Sequence, residues 1–422
     1  MHSHAPARAG ERQGYFAAQP FGGARYQYDR CMHSGFNITD NGGVNQSTPS
    51  VSEALAAHIT QAIAAAGGWL PFDAFMHAAL YAPGMGYYAH GSQKFGAFPQ
   101  SGSDFVTAPE LSPLFGACLA SQVAQALQAS GTRCVVEFGA GTGTLALQIY
   151  ELLTLNSIAL EQYFIVDVSG SLRVRQQEKL APLGSRVQWL DALPTHMEGV
   201  VIGNEVLDAM PVKLLVRTKG VWHERGVALR PSAQQLATRV QTEQPFVFAD
   251  RPTDLRPPVE IAGNHDYLTE IHPQGEAFVR TLAECLTRGA AFFIDYGFPE
   301  SEYYHPQRHM GTLMCHYQHL ADPDPLDKVG HKDITAHVNF TGIALAGQDA
   351  GLDVLGYCNQ ARFLMNCGLL QKMERLTPMQ RALAAKLATE HEMGELFKVI
   401  GFSKGCSLDP LGFSHGDRSH TL

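Results

Sequence analysis

One ten-residue stretch, Val135-Val136-Glu137-Phe138-Gly139-Ala140-Gly141-Thr142-Gly143-Thr144, limits the folds open to this chain more than any other. A short apolar run ends in an acidic residue, and glycines at alternate positions follow before a helix-forming segment. Glycine admits backbone conformations closed to other residues, so the chain can turn sharply there and approach a ligand. The helix starting near Thr144 adds unpaired N–H groups at its first turn. The pattern is strand, ligand cradle, helix. A dinucleotide fingerprint needs two residues between its second and third glycine, whereas Thr142 alone separates Gly141 from Gly143. NAD is therefore disfavoured. Glu137 ends the strand, where its carboxylate can accept hydrogen bonds from a ligand ammonium. S-adenosylmethionine carries such an ammonium; a tight turn without a ligand is the plainer alternative.

From Arg133 onward strand-like and helix-like segments alternate, which predicts an α/β fold: a Rossmann-like parallel sheet with helices on both faces. Strands are expected near 133–138, 162–167, 186–190, 199–204 and 290–295, and helices near 143–153, 171–180 and 273–288. In such sheets ligands sit beyond the carboxyl ends of the strands. Gly139, Gly141, Gly143 and Glu137 at the first strand end are thus candidate cofactor residues. Asp167 ends the second strand, where a carboxylate can bind ribose hydroxyls; capping the next helix is its alternative. Asp191 ends the third and could meet an adenine amino group. At the fourth, Asn204, Glu205 and Asp208 break out of an apolar run and are the candidate catalytic residues. Two carboxylates there suit a cationic acceptor, and a guanidinium fits well because its planar fork donates to carboxylates bidentately. Methyl transfer is an in-line displacement, so alignment of the acceptor supplies much of the acceleration. Helix capping by Asp208 and solvation of Glu205 remain the alternative.

Upstream, residues 1–50 are polar and glycine-rich, without apolar periodicity, and read as a disordered extension in which Met32 is an alternative start. Residues 51–130 read as an N-terminal helical region: a helix from Val51 to about Gly67, a second after Pro71, and a long one ending near Ala129. Between the last two, Asp104, Thr107 and Glu110 flank a proline-punctuated turn suited to an active-site loop or to capping. The methyltransferase-like domain is expected over 131–415, with an insertion at about 212–272 whose strands Val221–Val227 and Ala237–Phe248 would overhang the acceptor. His305, His309, Cys315, His316 and His319 lack the paired-cysteine half of a structural zinc site, so no metal is expected. Eight scattered cysteines without a Cys-x-x-Cys pair suit a reducing compartment. A net charge of −9, no long basic tract and no bilayer-length apolar run weigh against nucleic-acid partners and membrane insertion.

The chain resembles the MidA-like, mitochondrial complex I assembly family of class I S-adenosylmethionine-dependent methyltransferases. The resemblance runs from about Ser52 to Phe413. It rests on Leu80-Tyr81 through Tyr87-Tyr88, Asp104–Pro113, Glu137–Thr144, Gly203–Pro211, Ile294–Gly297, Glu302–Arg308, Asp333–Phe340 and Glu392–Val399. It implies S-adenosyl-L-methionine as cofactor and methylation of an arginine on a protein, a subunit of respiratory NADH dehydrogenase in the mitochondrial member. The second-strand acid is more often glutamate in that family, and Asp167 stands there in this chain. A scaffold that keeps the cofactor pocket and a small-molecule methyltransferase are the competing readings. A homodimer is left open, and the expected compartment is a bacterial cytoplasm, with the mitochondrial matrix as alternative.

Overall fold

A computed structural model describes residues 50–89, 106–231 and 245–422. The N-terminal extension, Asp104 and residues 237–244 of the expected insertion strand lie outside the described residues. Helix α1 (Val51–Ala65) starts on a reciprocal cap: Ser50 Oγ accepts from the Glu53 amide at 3.3 Å and Glu53 Oε2 accepts from the Ser50 amide at 2.7 Å. Strand β1 (Leu70–Pro71) leads into α2 (Phe72–Tyr81). The long helix expected after Pro113 runs as α4 (Pro113–Ser130), and a short α3 (Ala108–Leu111) precedes it. Pro113 disfavours helical geometry at the residue before it, and Ser112 is extended (φ −156°, ψ 135°), its hydroxyl accepting from Leu114 N.

Then come β2 (Cys134–Phe138), α5 (Thr144–Leu155), β3 (Gln162–Val166), α6 (Gly170–Leu180), β4 (Val187–Leu190) and β5 (Met197–Asn204). Strands β6 (Lys213–Thr218), β7 (Val221–Leu229), β8 (Phe246–Pro252) and β9 (Tyr267–Ile271) follow, then α7 (Pro273–Cys285) and β10 (Leu286–Phe298). The helix expected to reach 288 stops three residues earlier, because Leu286 and Arg288 are already paired with Met197 and Glu198 of β5. The remainder includes β11 (Met314–Tyr317), β12 (Leu320–Asp322), β13 (Asp333–Thr335), β14 (Val338–Asn339), α8 (Phe340–Asp349), β15 (Asp353–Asn359) and β16 (Phe397–Lys404).

The main sheet has the order β15-β16-β10-β5-β2-β3-β4, and β16 runs antiparallel to both its neighbours while β10, β5, β2, β3 and β4 are mutually parallel. Helices cover both faces, so its strands are apolar in both directions. Val135, Val200, Ile202, Phe292 and Ile294 pack with α4 and α5, while Val136, Phe138, Val201, Ala291 and Phe293 pack with α7 and α8. From β2 the chain moves outward to β4, then returns to β5 on the other side. That reversal opens a crevice at the carboxyl ends of β2 and β5. A second, antiparallel sheet, β1-β7-β6-β9 with β8 on β7, packs against α1 and α2 through Leu55, Ile59, Phe72, Phe75, Leu214, Val227 and Phe246.

Candidate active site

The turn after β2 is shaped by three glycines with φ of 62° (Gly139), 54° (Gly141) and 83° (Gly143). A Cβ on Gly139 would lie 3.1 Å from Val206 Cγ2, and one on Gly143 would lie 3.3 Å from Leu180 Cδ1. Left-handed backbone and close neighbours together demand glycine at both positions. Two flanking elements brace the turn. Thr142 and Thr144 both donate to Glu110 Oε1 on α3, Thr144 at 2.7 Å, and Lys179 Nζ on α6 donates to Thr142 Oγ1 at 3.1 Å. Gln176, fully buried on α6, donates to Gly141 O at 2.9 Å and to Asp167 Oδ2 at 2.7 Å, while Trp189 Nε1 donates to its Oε1. Asp167 Oδ1 also accepts from Ser169 N at 2.9 Å. Glycine turn and strand-end acid are thus locked to one amide side chain.

Glu137 is buried beneath this turn, accepting from Tyr163 Oη at 2.7 Å, and burial pushes its carboxyl up to about 7. Asp191 is not gathered into the cradle: its side chain is 84% exposed and pairs with Arg173. Thr107 precedes α3 and works through its carbonyl, which accepts from Glu110 N and Leu111 N; its hydroxyl caps nothing. His305 Nδ1 accepts from Gln307 N, and the His309 ring meets the Gln307 carbonyl. Among the described residues no three His, Cys, Asp or Glu converge on a point fit for a metal.

Across the crevice, β5 ends in Asn204 and the chain turns through Glu205, a non-glycine residue at φ 54°. Strain of this kind persists where neighbours over-determine the backbone. Here the neighbour is Asp295 on β10, wholly buried, whose Oδ2 accepts the amides of Val206 (3.1 Å), Leu207 (2.9 Å) and Asp208 (3.2 Å). Asn204 Nδ2 donates to Glu205 Oε1 at 3.0 Å, and Tyr296 Oη donates to Asp208 Oδ2. Burial pushes the Glu205 carboxyl up to about 8, with the Asp208 charge adding to the shift. Asp208 and Asp295 are also raised, burial being the largest cause for each. Asp208 Oδ1 and Asn204 Oδ1 are buried without a hydrogen-bond partner. Such acceptors carry a desolvation penalty of about 1–3 kcal/mol each until a donor reaches them. This wall of the crevice thus presents two buried acceptors that lack a donor.

A mostly parallel sheet with a glycine-rich turn at its reversal point and acidic groups on the facing strand end defines a Rossmann-like nucleoside-cofactor enzyme. Comparison with known proteins narrows that class. A family model for S-adenosyl-L-methionine-dependent methyltransferases matches residues 118–358, more than half the chain. A crystal structure of a Burkholderia thailandensis protein bound to S-adenosyl-homocysteine is similar at 51% identity and a TM-score of 0.82, covering 89% of this chain and 100% of that one. The curated mitochondrial protein arginine methyltransferase NDUFAF7 of Mus musculus is 27% identical over 87% of this chain and 86% of its own length. Its Danio rerio counterpart is 25% identical over 82% and 84%. The chain belongs to the MidA-like family of S-adenosylmethionine-dependent methyltransferases. It is an enzyme of that reaction class, with S-adenosylmethionine as cofactor.

The strand-end rule that singles out Asp167 and Asn204 also applies to Asp295, at the fifth strand end, yet that residue received no role from sequence alone. Gln176 carries no such signal, because a mid-helix glutamine looks like any solvated polar residue until the fold turns it inward.

Proposed function

We propose that this chain is a protein arginine N-methyltransferase. The observation that carries the reading is the paired carboxylates Glu205 and Asp208, with a buried Asp208 oxygen lacking any donor. When bound, S-adenosylmethionine supplies an electrophilic methyl group on a sulfonium, and Gly139, Gly141, Gly143 and Asp167 fit the task of holding it. Glu205 and Asp208 orient the acceptor guanidinium across the crevice and turn one nitrogen lone pair toward that methyl carbon. As the nitrogen–carbon bond forms and the carbon–sulfur bond breaks, the nitrogen loses a proton, and Glu205, drawn into its ionised form by the bound cation, is placed to take it. The arginine methyltransferase names of the curated relatives support the same acceptor, and the family resemblance implies a respiratory NADH dehydrogenase subunit as its client.

Isotope-labelled S-adenosylmethionine incubated with the protein and a cell lysate tests this. Label in a protein band, released as methylarginine on hydrolysis and lost in Gly141→Val, supports the proposal. Label confined to small molecules overturns it, and cofactor binding with no transfer points to a scaffold.

A further inference from the structure

Two motifs remain without a role once cradle and strand-end turn are assigned: the segment from Tyr81 to Tyr88, and Asp333–Phe340. The fold brings them together beside Asp208. Tyr88 Oη donates to both carboxylate oxygens of Asp333, at 2.9 and 3.0 Å. Tyr81 Oη donates at 2.8 Å to the carbonyl of Ala209, the residue after Asp208. The two rings stack at 5.6 Å with 17° between planes. One tyrosine therefore braces each acidic wall. The segment following β13 docks on the same turn, Ala336 N donating at 3.0 Å to Asp208 O. Asp333 is 2% exposed and lies near enough to Glu205 to raise its carboxyl, while Asp208 acts on both tyrosine hydroxyls. Asp208 itself is 4% exposed, and its Oδ1 has no partner.

We propose that Asp333 is a further acceptor-binding carboxylate, closing with Glu205 and Asp208 a three-sided clamp for a planar cation, and that Tyr88 is its positioning residue. The proposal rests on the arginine reading and adds its specificity. A guanidinium presents five N–H donors in one plane, enough to meet carboxylates on three sides, whereas an ammonium concentrates three donors at a point. Lysine in this clamp reaches fewer sides at once and meets Asp208 Oδ1 only by giving up another wall.

The test uses the full chain saturated with S-adenosyl-homocysteine, titrated calorimetrically with Nα-acetyl-argininamide, its neutral citrulline analogue and Nα-acetyl-lysinamide. The arginine probe should bind about tenfold more tightly than either of the others. Asp333→Asn should erase about tenfold of its affinity while leaving citrulline-probe and S-adenosyl-homocysteine binding within about twofold of wild type. Tyr88→Phe should shift the arginine-to-citrulline ratio several-fold in the same direction, and Asp333→Glu should restore part of it. Retention of the full arginine preference in both Asp333→Asn and Tyr88→Phe overturns the clamp and leaves the arginine reading intact. If wild type shows no arginine preference over citrulline, the arginine reading falls and the clamp with it. Parallel loss of S-adenosyl-homocysteine binding would make Asp333 a structural residue and also overturn the proposal.

Discussion

Glu205 combines a left-handed backbone, burial and a neighbouring carboxylate in one residue. Its carboxyl sits at about 8 in the fold against an ordinary 4.5. Between those values the native state holds more protons than the unfolded chain, so this group's contribution to stability is complete below the lower value and is lost as pH rises through the upper one. Glu205→Gln should therefore gain thermal stability relative to wild type as pH increases, on the order of 1 kcal/mol per unit of pH across the window. Melting curves at about pH 5 and about pH 9 check this; a gap that does not widen rejects it. The same variant should lose methyl transfer, since the proton acceptor is gone. Asp208→Asn keeps the hydrogen bond from Tyr296 but removes charge, and turnover should fall by about 10²–10⁴-fold with S-adenosyl-homocysteine affinity little changed. Single-turnover transfer and calorimetry separate those effects.

On the element scale, helices grip the glycine turn after β2 from outside. Helix α6 reaches it through Gln176 and Lys179, and α3 through Glu110. Gln176→Ala removes the donor shared by Gly141 and Asp167 and frees Trp189. S-adenosyl-homocysteine affinity should drop about tenfold, the loss of one or two hydrogen bonds that preorganise a site. Calorimetric titration of the variant at unchanged melting temperature is the measurement, and wild-type affinity would reject the role. Periodicity located these elements because a helix buried on one face, or a strand buried on two, leaves its mark in apolar spacing. The break at Ser112-Pro113 was signalled locally by proline, whereas the early end of α7 was not. Residues 286–288 leave the helix because β5 lies alongside, and no local pattern records a neighbour ninety residues away.

For the whole molecule, the N-terminal helices and the insertion sheet share a core: Phe75 packs among Phe72, Val227 and Phe246. Phe75→Ala should cost about 3–5 kcal/mol, and the fluorescence of Trp69, Trp189 and Trp222 together should report the same shifted transition as far-ultraviolet circular dichroism. Separate transitions would show that these parts unfold independently. Sequence by itself determined the sheet strands, the cradle glycines and the acids at strand ends, because each depends on contacts within a few residues or on a periodic pattern. It also pointed to the cofactor, since the spacing of Gly139, Gly141 and Gly143 is a local property of one turn. Tertiary structure alone decided that Asp191 faces solvent beside Arg173, that Asp295 gathers three amides of the Asn204–Asp208 turn, and that Tyr88 meets Asp333. Those pairings join residues 18 to 245 positions apart. Their geometry is set by how strands and helices pack around a shared core, and one-dimensional spacing carries no record of it.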